Sequence, residues 1–350
     1  MTTQKPTGPN AIIALWEKSR IELTDKYTAS QEMIQIGDSV IGTLGNFSVS
    51  IGKPKSKKTF NVSAMVAAAL KNGVCLQYVV NLPKDKRKVL FIDTEQSPYH
   101  CHKVMQRIAK MAGLPLNEKP DNLEFLSLRR YHTDERTAII EAAIYGTDNL
   151  GLVVIDGIRD MVKDINSPGE ATGIISNLMK WTDERQIHIH TIVHQNKADV
   201  NARGHLGTEL SNKAETMLEI KKCTTNSNIS IVTAVHTRAL EFQPFAFQIN
   251  SDALPELVGN YSSITSKNTS KSIDYSEMTD EQHMEVLEQV FSENDSYGYD
   301  DLIQAFKNAY TAKGYRFNSK MKQVKKHIEE KGMILIEGKN YYLNHDYFDS

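Results

Sequence analysis

Apolar and polar positions fall into alternating blocks between about Ser48 and Ile249. The runs "FSVSI" (47–51), "KVLFID" (88–93), "LEFLSL" (123–128), "LGLVVID" (150–156), "IHIHTIVH" (187–194), "TMLEI" (216–220) and "SIVTAVH" (230–236) are short, and several are too continuously apolar for a half-exposed strand. They predict strands buried on both faces, as in a parallel sheet. Between them apolar residues recur at helical spacing: Val62, Met65, Val66 and Ala69; Val104, Ile108 and Met111; Ile139, Ile140 and Ala143; Ile174, Ile175, Leu178 and Trp181. Strand and helix in alternation predict a doubly wound α/β domain. Before it, residues 1–40 form an N-terminal segment with a helix near Ala11–Arg20 and a strand near Met33–Ile36.

The pattern changes after Asn250. "NYSSITSKNTSKSIDYSEM" is polar and aperiodic, which marks residues 256–279 as a linker after a core spanning 41–255. Residues 280–350 then predict three helices, in "DEQHMEVLEQVFS", "YDDLIQAFKNAYTAKG" and "NSKMKQVKKHIEEKG", and a hairpin in "MILIEGKNYYLN" around Gly338-Lys339-Asn340. Helix, helix, helix, hairpin is the order of a winged-helix-like module. There is no internal repeat and no heptad pattern.

Composition narrows the partners. With 350 residues the chain can bury a large core in two or three domains, and a net charge of −2 gives no global attraction to nucleic acid or membrane, so any such binding needs a local patch. No apolar run reaches the roughly 18 residues of a membrane span, and the start lacks a secretory apolar core, so a cytoplasmic protein is expected. Cys75, Cys101 and Cys223 are far apart with no CxxC, which predicts reduced thiols.

One stretch carries specific chemistry. Gly52-Lys53-Pro54-Lys55-Ser56-Lys57-Lys58-Thr59, followed by Phe60, matches the phosphate-loop pattern G-x-x-x-x-G-K-[ST] between a strand and a helix, except that Lys57 stands where the second glycine belongs. The chemistry requires inward backbone N–H groups at a helix N-terminus, a lysine for the β- and γ-phosphates and a hydroxyl for Mg²⁺; Gly52, Lys58 and Thr59 supply them. The lysine at 57 costs backbone freedom only if that position needs a conformation closed to side chains, and its side chain could point outward. A basic surface turn leading into a helix is the plain alternative.

Downstream strands end in carboxylates. Asp93-Thr94-Glu95 closes "KVLFID" at the sheet edge where ligands of such sheets bind, and a carboxylate there can orient a water; Asp156 closes "LGLVVID" where a Mg²⁺-binding carboxylate is expected. His100-Cys101-His102 does not read as a zinc site, since neighbours on a helix do not face one another and no fourth ligand is nearby. His188 and His190 share one face of a strand and read as packing residues.

Taken in order, Gly52–Thr59, "FIDTEQS", "LVVIDGIRD" and "TIVHQNK" resemble the motor core of RecA-like P-loop ATPases, and are especially similar to the RepA and DnaB type of hexameric replicative helicase and the related ATPases of plasmids and mobile elements. The resemblance covers about residues 31–250. It implies ATP and Mg²⁺ as ligands, Glu95 as the water-activating glutamate, Asp156 as the Mg²⁺-linked aspartate, and His194-Gln195 as the polar sensor of the γ-phosphate. It implies that "NARGHLGTELSNKAETMLEI", with Arg203 and His205, lines a channel for single-stranded DNA in a homo-oligomer, a hexamer in that family. It also implies that Arg238 reaches the neighbouring subunit's nucleotide as an arginine finger. That family often has a lysine two residues before the arginine; this chain has His236.

Between Lys307 and Lys339 nine lysines and arginines face three glutamates, concentrated around the third C-terminal helix. Lys320, Lys322, Lys325 and Lys326 are therefore candidate phosphate contacts, with a solvated face for protein docking as the alternative. The expectation is a Mg²⁺-dependent ATPase acting on DNA, a helicase-like motor or a replication or mobilisation factor of a plasmid or transposon. A nucleotide-responsive DNA-binding switch or assembly factor without unwinding is the second reading.

Overall fold

The computed structural model describes residues 9–195, 204–238, 240–259, 274–313, 315, 317 and 320–347. The chain divides into two compact units, residues 1–258 and 259–350.

The first unit is built on a nine-stranded sheet. Its strands are β3 (Phe47–Gly52), β6 (Lys88–Asp93), β7 (Leu123–Ser127), β8 (Leu150–Asp156), β9 (His188–His194), β10 (Thr216–Lys222), β11 (Ile229–Thr237), β12 (Phe245–Ile249) and β13 (Pro255–Leu257), in the spatial order β13-β12-β11-β10-β3-β9-β8-β6-β7. From β10 to β7 every pairing is parallel, as the apolar runs require. The run "SIVTAVH" departs from the parallel expectation: β11 lies antiparallel to β10, and β12 and β13 continue antiparallel. Only residues 223–228 join β10 to β11, and a parallel crossover needs a dozen or more.

Alternation along each central strand divides the core into two layers. Val89 and Phe91 face Val62, Met65, Val66, Val104 and Ile108, carried by α2 (Lys58–Lys71) and α3 (Pro98–Ala112). Leu90 and Ile92 face the other way with Ile140, Ile144, Leu178 and Trp181, from α4 (Thr133–Gly146) and α5 (Pro168–Arg185). The strand expected near Met33–Ile36 is β1 (Glu32–Ile36), and it belongs to a small antiparallel sheet whose other strands sequence reading missed: β2 (Ser39–Thr43), β4 (Val74–Cys75) and β5 (Tyr78–Val80), ordered β2-β1-β5-β4. Met33, Ile34 and Ile36 of β1 are buried in the first layer, so the end of the segment assigned to 1–40 packs as part of this unit. Earlier in the chain α1 (Pro9–Lys18) leaves Ile12, Ile13, Leu15 and Trp16 exposed.

The second unit contains α7 (Asp280–Phe291), α8 (Tyr299–Ala312), α9 (Met321–Glu330) and the hairpin β14 (Ile334–Glu337) and β15 (Asn340–Leu343). Thr279 caps α7 by accepting from Gln282 N, while the Gln282 side chain accepts from Thr279 N, a reciprocal capping box. Leu287, Leu302, Phe306, Tyr310, Val324, Ile328 and Met333 fill its own core. Glu337 pairs with Asn340, so the hairpin turn is Gly338-Lys339, with Gly338 at φ 67°.

Candidate nucleotide site

The loop from Gly52 to Thr59 leaves the C-terminal end of β3 and enters α2, where the helix N-terminus favours an anion. Gly52 is sterically required: a Cβ there would lie 2.2 Å from Ile220 O and 2.6 Å from Ser56 Oγ. Position 57 adopts the left-handed conformation that glycine takes freely, at φ 70° and ψ 30°, so the loop keeps the second glycine's backbone without the glycine. A residue with a Cβ holds that conformation at a cost of about 1–2 kcal/mol. The Lys57 side chain points outward, and Nζ donates to Asn228 O at 2.5 Å.

Lys58 turns inward. Its Nζ donates to Gly52 O at 2.8 Å and Lys53 O at 3.1 Å and lies 3.2 Å from His194 Nδ1. Burial lowers its pKa, while Asp156 and Glu95 oppose the shift. Thr59 Oγ1 donates to Asp156 Oδ2 at 2.7 Å. Asp156 ends β8 beside Asp93, its register partner on β6; burial first, then the Asp93 charge, pushes its pKa up to about 7. A buried carboxylate of this kind, hydrogen-bonded to a hydroxyl and short of positive charge, fits a divalent cation, which would hold it ionised.

Asp93 is fully buried and braces the next turn: it accepts from Glu95 N at 3.0 Å, Gln96 N at 2.7 Å and Gln96 Nε2 at 2.6 Å. Gly157 makes room for that turn, at φ 98°, where a Cβ would fall 2.2 Å from Thr94 Oγ1 and 2.9 Å from Glu95 Cγ. The Glu95 carboxylate thus reaches His194, with Oε1 3.4 Å from Nε2. That interaction holds its pKa below the usual glutamate range, with weaker help from Lys58 and Arg159, against the effect of burial. Gln195 is fixed on both sides, its N–H on Gly52 O at 3.2 Å and its amide on Glu219 Oε1 at 3.0 Å. Lys58, Thr59, Glu95, Asp156 and His194 line one cleft of about 410 Å³.

Sequence reading missed the helix wall of this cleft. His100, Lys103 and Arg107 stand on one side of α3 and line it with Gln96, and the Arg107 guanidinium carbon lies 3.5 Å from the Phe60 ring centroid. The buried positions Val104 and Ile108 fix the inner face of α3, and with it these neighbours at its edge.

Other assigned residues lie elsewhere. Arg238 follows β11, whose Thr237 is level with Thr216 and hence with Ser48 at the start of β3; its N–H donates to Glu215 O at 3.2 Å and it is exposed. Within one chain the loop and Arg238 therefore occupy opposite edges of the sheet. Arg203 lies outside the described residues. In the segment that the resemblance assigns to the channel, "GHLG" is the first turn of α6 (Gly204–Lys213); Leu206 and Leu210 anchor that helix and His205 is exposed.

In the second unit Lys322 is exposed, Lys320 pairs with Asp274 at 2.5 Å and Lys326 with Glu330 at 3.5 Å. Lys325 is buried, 2.5 Å from Glu329 Oε2 and 4.4 Å from the Tyr341 ring centroid. On α3 Cys101 is buried while His100 and His102 are exposed, and among the described residues no group of three or more histidines, cysteines and carboxylates is arranged to hold a metal.

His188 and His190 are buried as expected, and they form a continuous chain behind the loop. Ser50 Oγ lies 2.8 Å from His190 Nε2, Ser48 Oγ 2.7 Å from both His190 Nδ1 and His188 Nε2, and His188 Nδ1 2.9 Å from Thr43 O. Neutral imidazoles satisfy every contact, each donating from Nδ1 and accepting at Nε2.

Residues 37–200 match the family model described as AAA domain. That stretch contains the loop, Glu95, Asp156, His194 and Gln195, and it lies within the α/β unit built on the parallel-dominated sheet. Among solved structures the chain is similar to the RadB recombinase, at 16% identity and a TM-score of 0.43, over 60% of this chain and 90% of that one. No curated protein matches it.

Proposed function

We propose that the protein is a Mg²⁺-dependent ATPase of the RepA and DnaB type that acts on DNA as a homo-oligomer, in replication or mobilisation of a plasmid or transposon. The observation that carries the ATPase reading is the convergence on His194: the loop lysine touches one ring nitrogen and Glu95 the other. One imidazole thus reads both the phosphate-binding group and the base.

Lys58 and the loop N–H groups would hold the β- and γ-phosphates, and Thr59 with Asp156 would hold Mg²⁺, which supplies charge neutralisation on the phosphate oxygens. Glu95, ionised at neutral pH, takes a proton from water as the water oxygen bonds to the γ-phosphorus and the bond to the β-bridging oxygen breaks, leaving ADP and phosphate. Arg238 would act on the neighbouring subunit. Its place at the sheet edge opposite the loop suits a head-to-tail assembly in which unlike edges meet.

For DNA the support is the family resemblance and the cluster of lysines around the third helix of the helix-and-hairpin unit, which has the winged-helix order. The pairing of Lys320, Lys325 and Lys326 with carboxylates favours a second reading for that unit, protein docking. ATP turnover with and without single-stranded DNA, beside light-scattering mass, tests the whole reading. DNA-stimulated turnover by an oligomer supports the motor; ATP-dependent DNA affinity with negligible turnover supports the nucleotide switch.

A further inference from the structure

Lysine at position 57 is unfavourable on two counts. It holds a left-handed backbone, and its ammonium is partly buried near the like charge of Lys222; burial and Lys222 both lower its pKa. Glycine would avoid both. What lysine supplies and glycine cannot is the hydrogen bond from Nζ to Asn228 O.

Asn228 belongs to the turn joining β10 to β11, and that hairpin holds the loop at two more points. Ile220 O sits against Gly52, and Ser230 Oγ donates to Ser56 O at 3.2 Å. The turn is itself braced: Asn226 Oδ1 accepts from Asn228 N at 2.9 Å and Asn226 O from Ile229 N at 3.0 Å. We propose that Lys57 is a clasp, a positioning residue that pins the phosphate loop to the β10–β11 turn and holds the loop's N–H groups in their binding conformation. This rests on Gly52–Thr59 being the ATP loop. Because the clasp organises the loop before chemistry, its loss appears in nucleotide affinity and leaves the chemical step alone.

The test uses full-length Lys57→Met, Lys57→Arg, Asn226→Ala and the Lys57→Met/Asn226→Ala double variant, with melting curves to confirm folding. Lys57→Met keeps the aliphatic stem and the backbone cost but loses the donor. It is expected to weaken ATP and ADP alike by about tenfold, with kcat at saturation within about twofold. Lys57→Arg restores affinity, and Asn226→Ala adds little once the ammonium is gone, because both disrupt one contact. Unchanged ATP affinity in Lys57→Met overturns the clasp. So does a loss confined to ATP and fully additive with Asn226→Ala, which would mark a direct phosphate contact. Lys58→Ala separates the two levels: if it binds ATP normally the loop reading fails, whereas if it abolishes binding and Lys57→Met is silent, only the clasp fails.

Discussion

Thr59 Oγ1 donates to Asp156 Oδ2 at 2.7 Å, joining the first turn of α2 to the end of β8 across 97 residues of sequence. Neither residue is distinctive alone, since many strands end in aspartate. The bond places a hydroxyl and a carboxylate where one cation can take both. Asp156→Asn is expected to lower ATP turnover by at least about 100-fold at fixed Mg²⁺ and to shift the Mg²⁺ titration to higher concentration, because the metal loses an anionic ligand. EDTA should silence the wild type. Turnover independent of Mg²⁺ in the wild type would remove Thr59 and Asp156 from the metal role.

Glu95 and Lys58 predict different failures. Glu95→Gln keeps the shape of the side chain but cannot take a proton, so ATP affinity stays near wild type while turnover falls by about 10²–10⁴-fold. Lys58→Ala instead loses ATP binding at concentrations that saturate the wild type. Equilibrium binding and steady-state turnover on both variants check this; normal turnover by Glu95→Gln would exclude it as the base.

The buried histidine chain predicts acid sensitivity. Burial and neighbouring His188 depress the His190 pKa from its ordinary 6.5 to about 3. The unfolded chain therefore binds a proton near pH 6.5 that the folded chain refuses. Stability is complete above that pH and declines as pH falls toward 3, by about 1.4 kcal/mol per unit from this group. The other groups in the chain are His188, also lowered by burial, and Glu215, which accepts from Thr43 N and Oγ1. Urea unfolding at pH 7, 6, 5 and 4 should show a shallower acid decline for His190→Gln than for wild type. Equal slopes would show that His190 takes up its proton in the folded state.

The sequence made the central sheet and most of the cleft legible because their signals are local. Continuous apolar runs mark buried strands, and Lys58, Thr59, Glu95 and Asp156 each sit beside one. Contacts between distant segments were not legible. The β10–β11 turn reaching Lys57, Glu95 reaching His194, and Arg107 over Phe60 depend on which segments become neighbours, and no periodicity reports that. The small sheet escaped because β4 and β5 have only two and three residues, too few for a period. The antiparallel course of β11 was legible in principle from the short 223–228 connection.

Arg238 and the phosphate loop stand at opposite edges of the same sheet, so a catalytic role for this arginine requires a second subunit. Arg238→Ala should bind ATP like wild type, because its own cleft keeps every lining residue, yet hydrolyse it about 10³-fold or more slowly if the guanidinium neutralises transition-state charge in the next subunit. Mixing it with Lys58→Ala protein provides the sharper measurement. In mixed assemblies some interfaces pair an intact loop from the Arg238→Ala subunit with an intact arginine from the Lys58→Ala subunit, and activity returns at those interfaces alone. Light scattering on tagged mixtures first establishes that subunits exchange at the assay concentration. With exchange established, recovery that follows the fraction of such interfaces assigns Arg238 in trans. No recovery, or normal hydrolysis by Arg238→Ala alone, removes the finger and leaves the nucleotide-responsive switch as the better account of the protein.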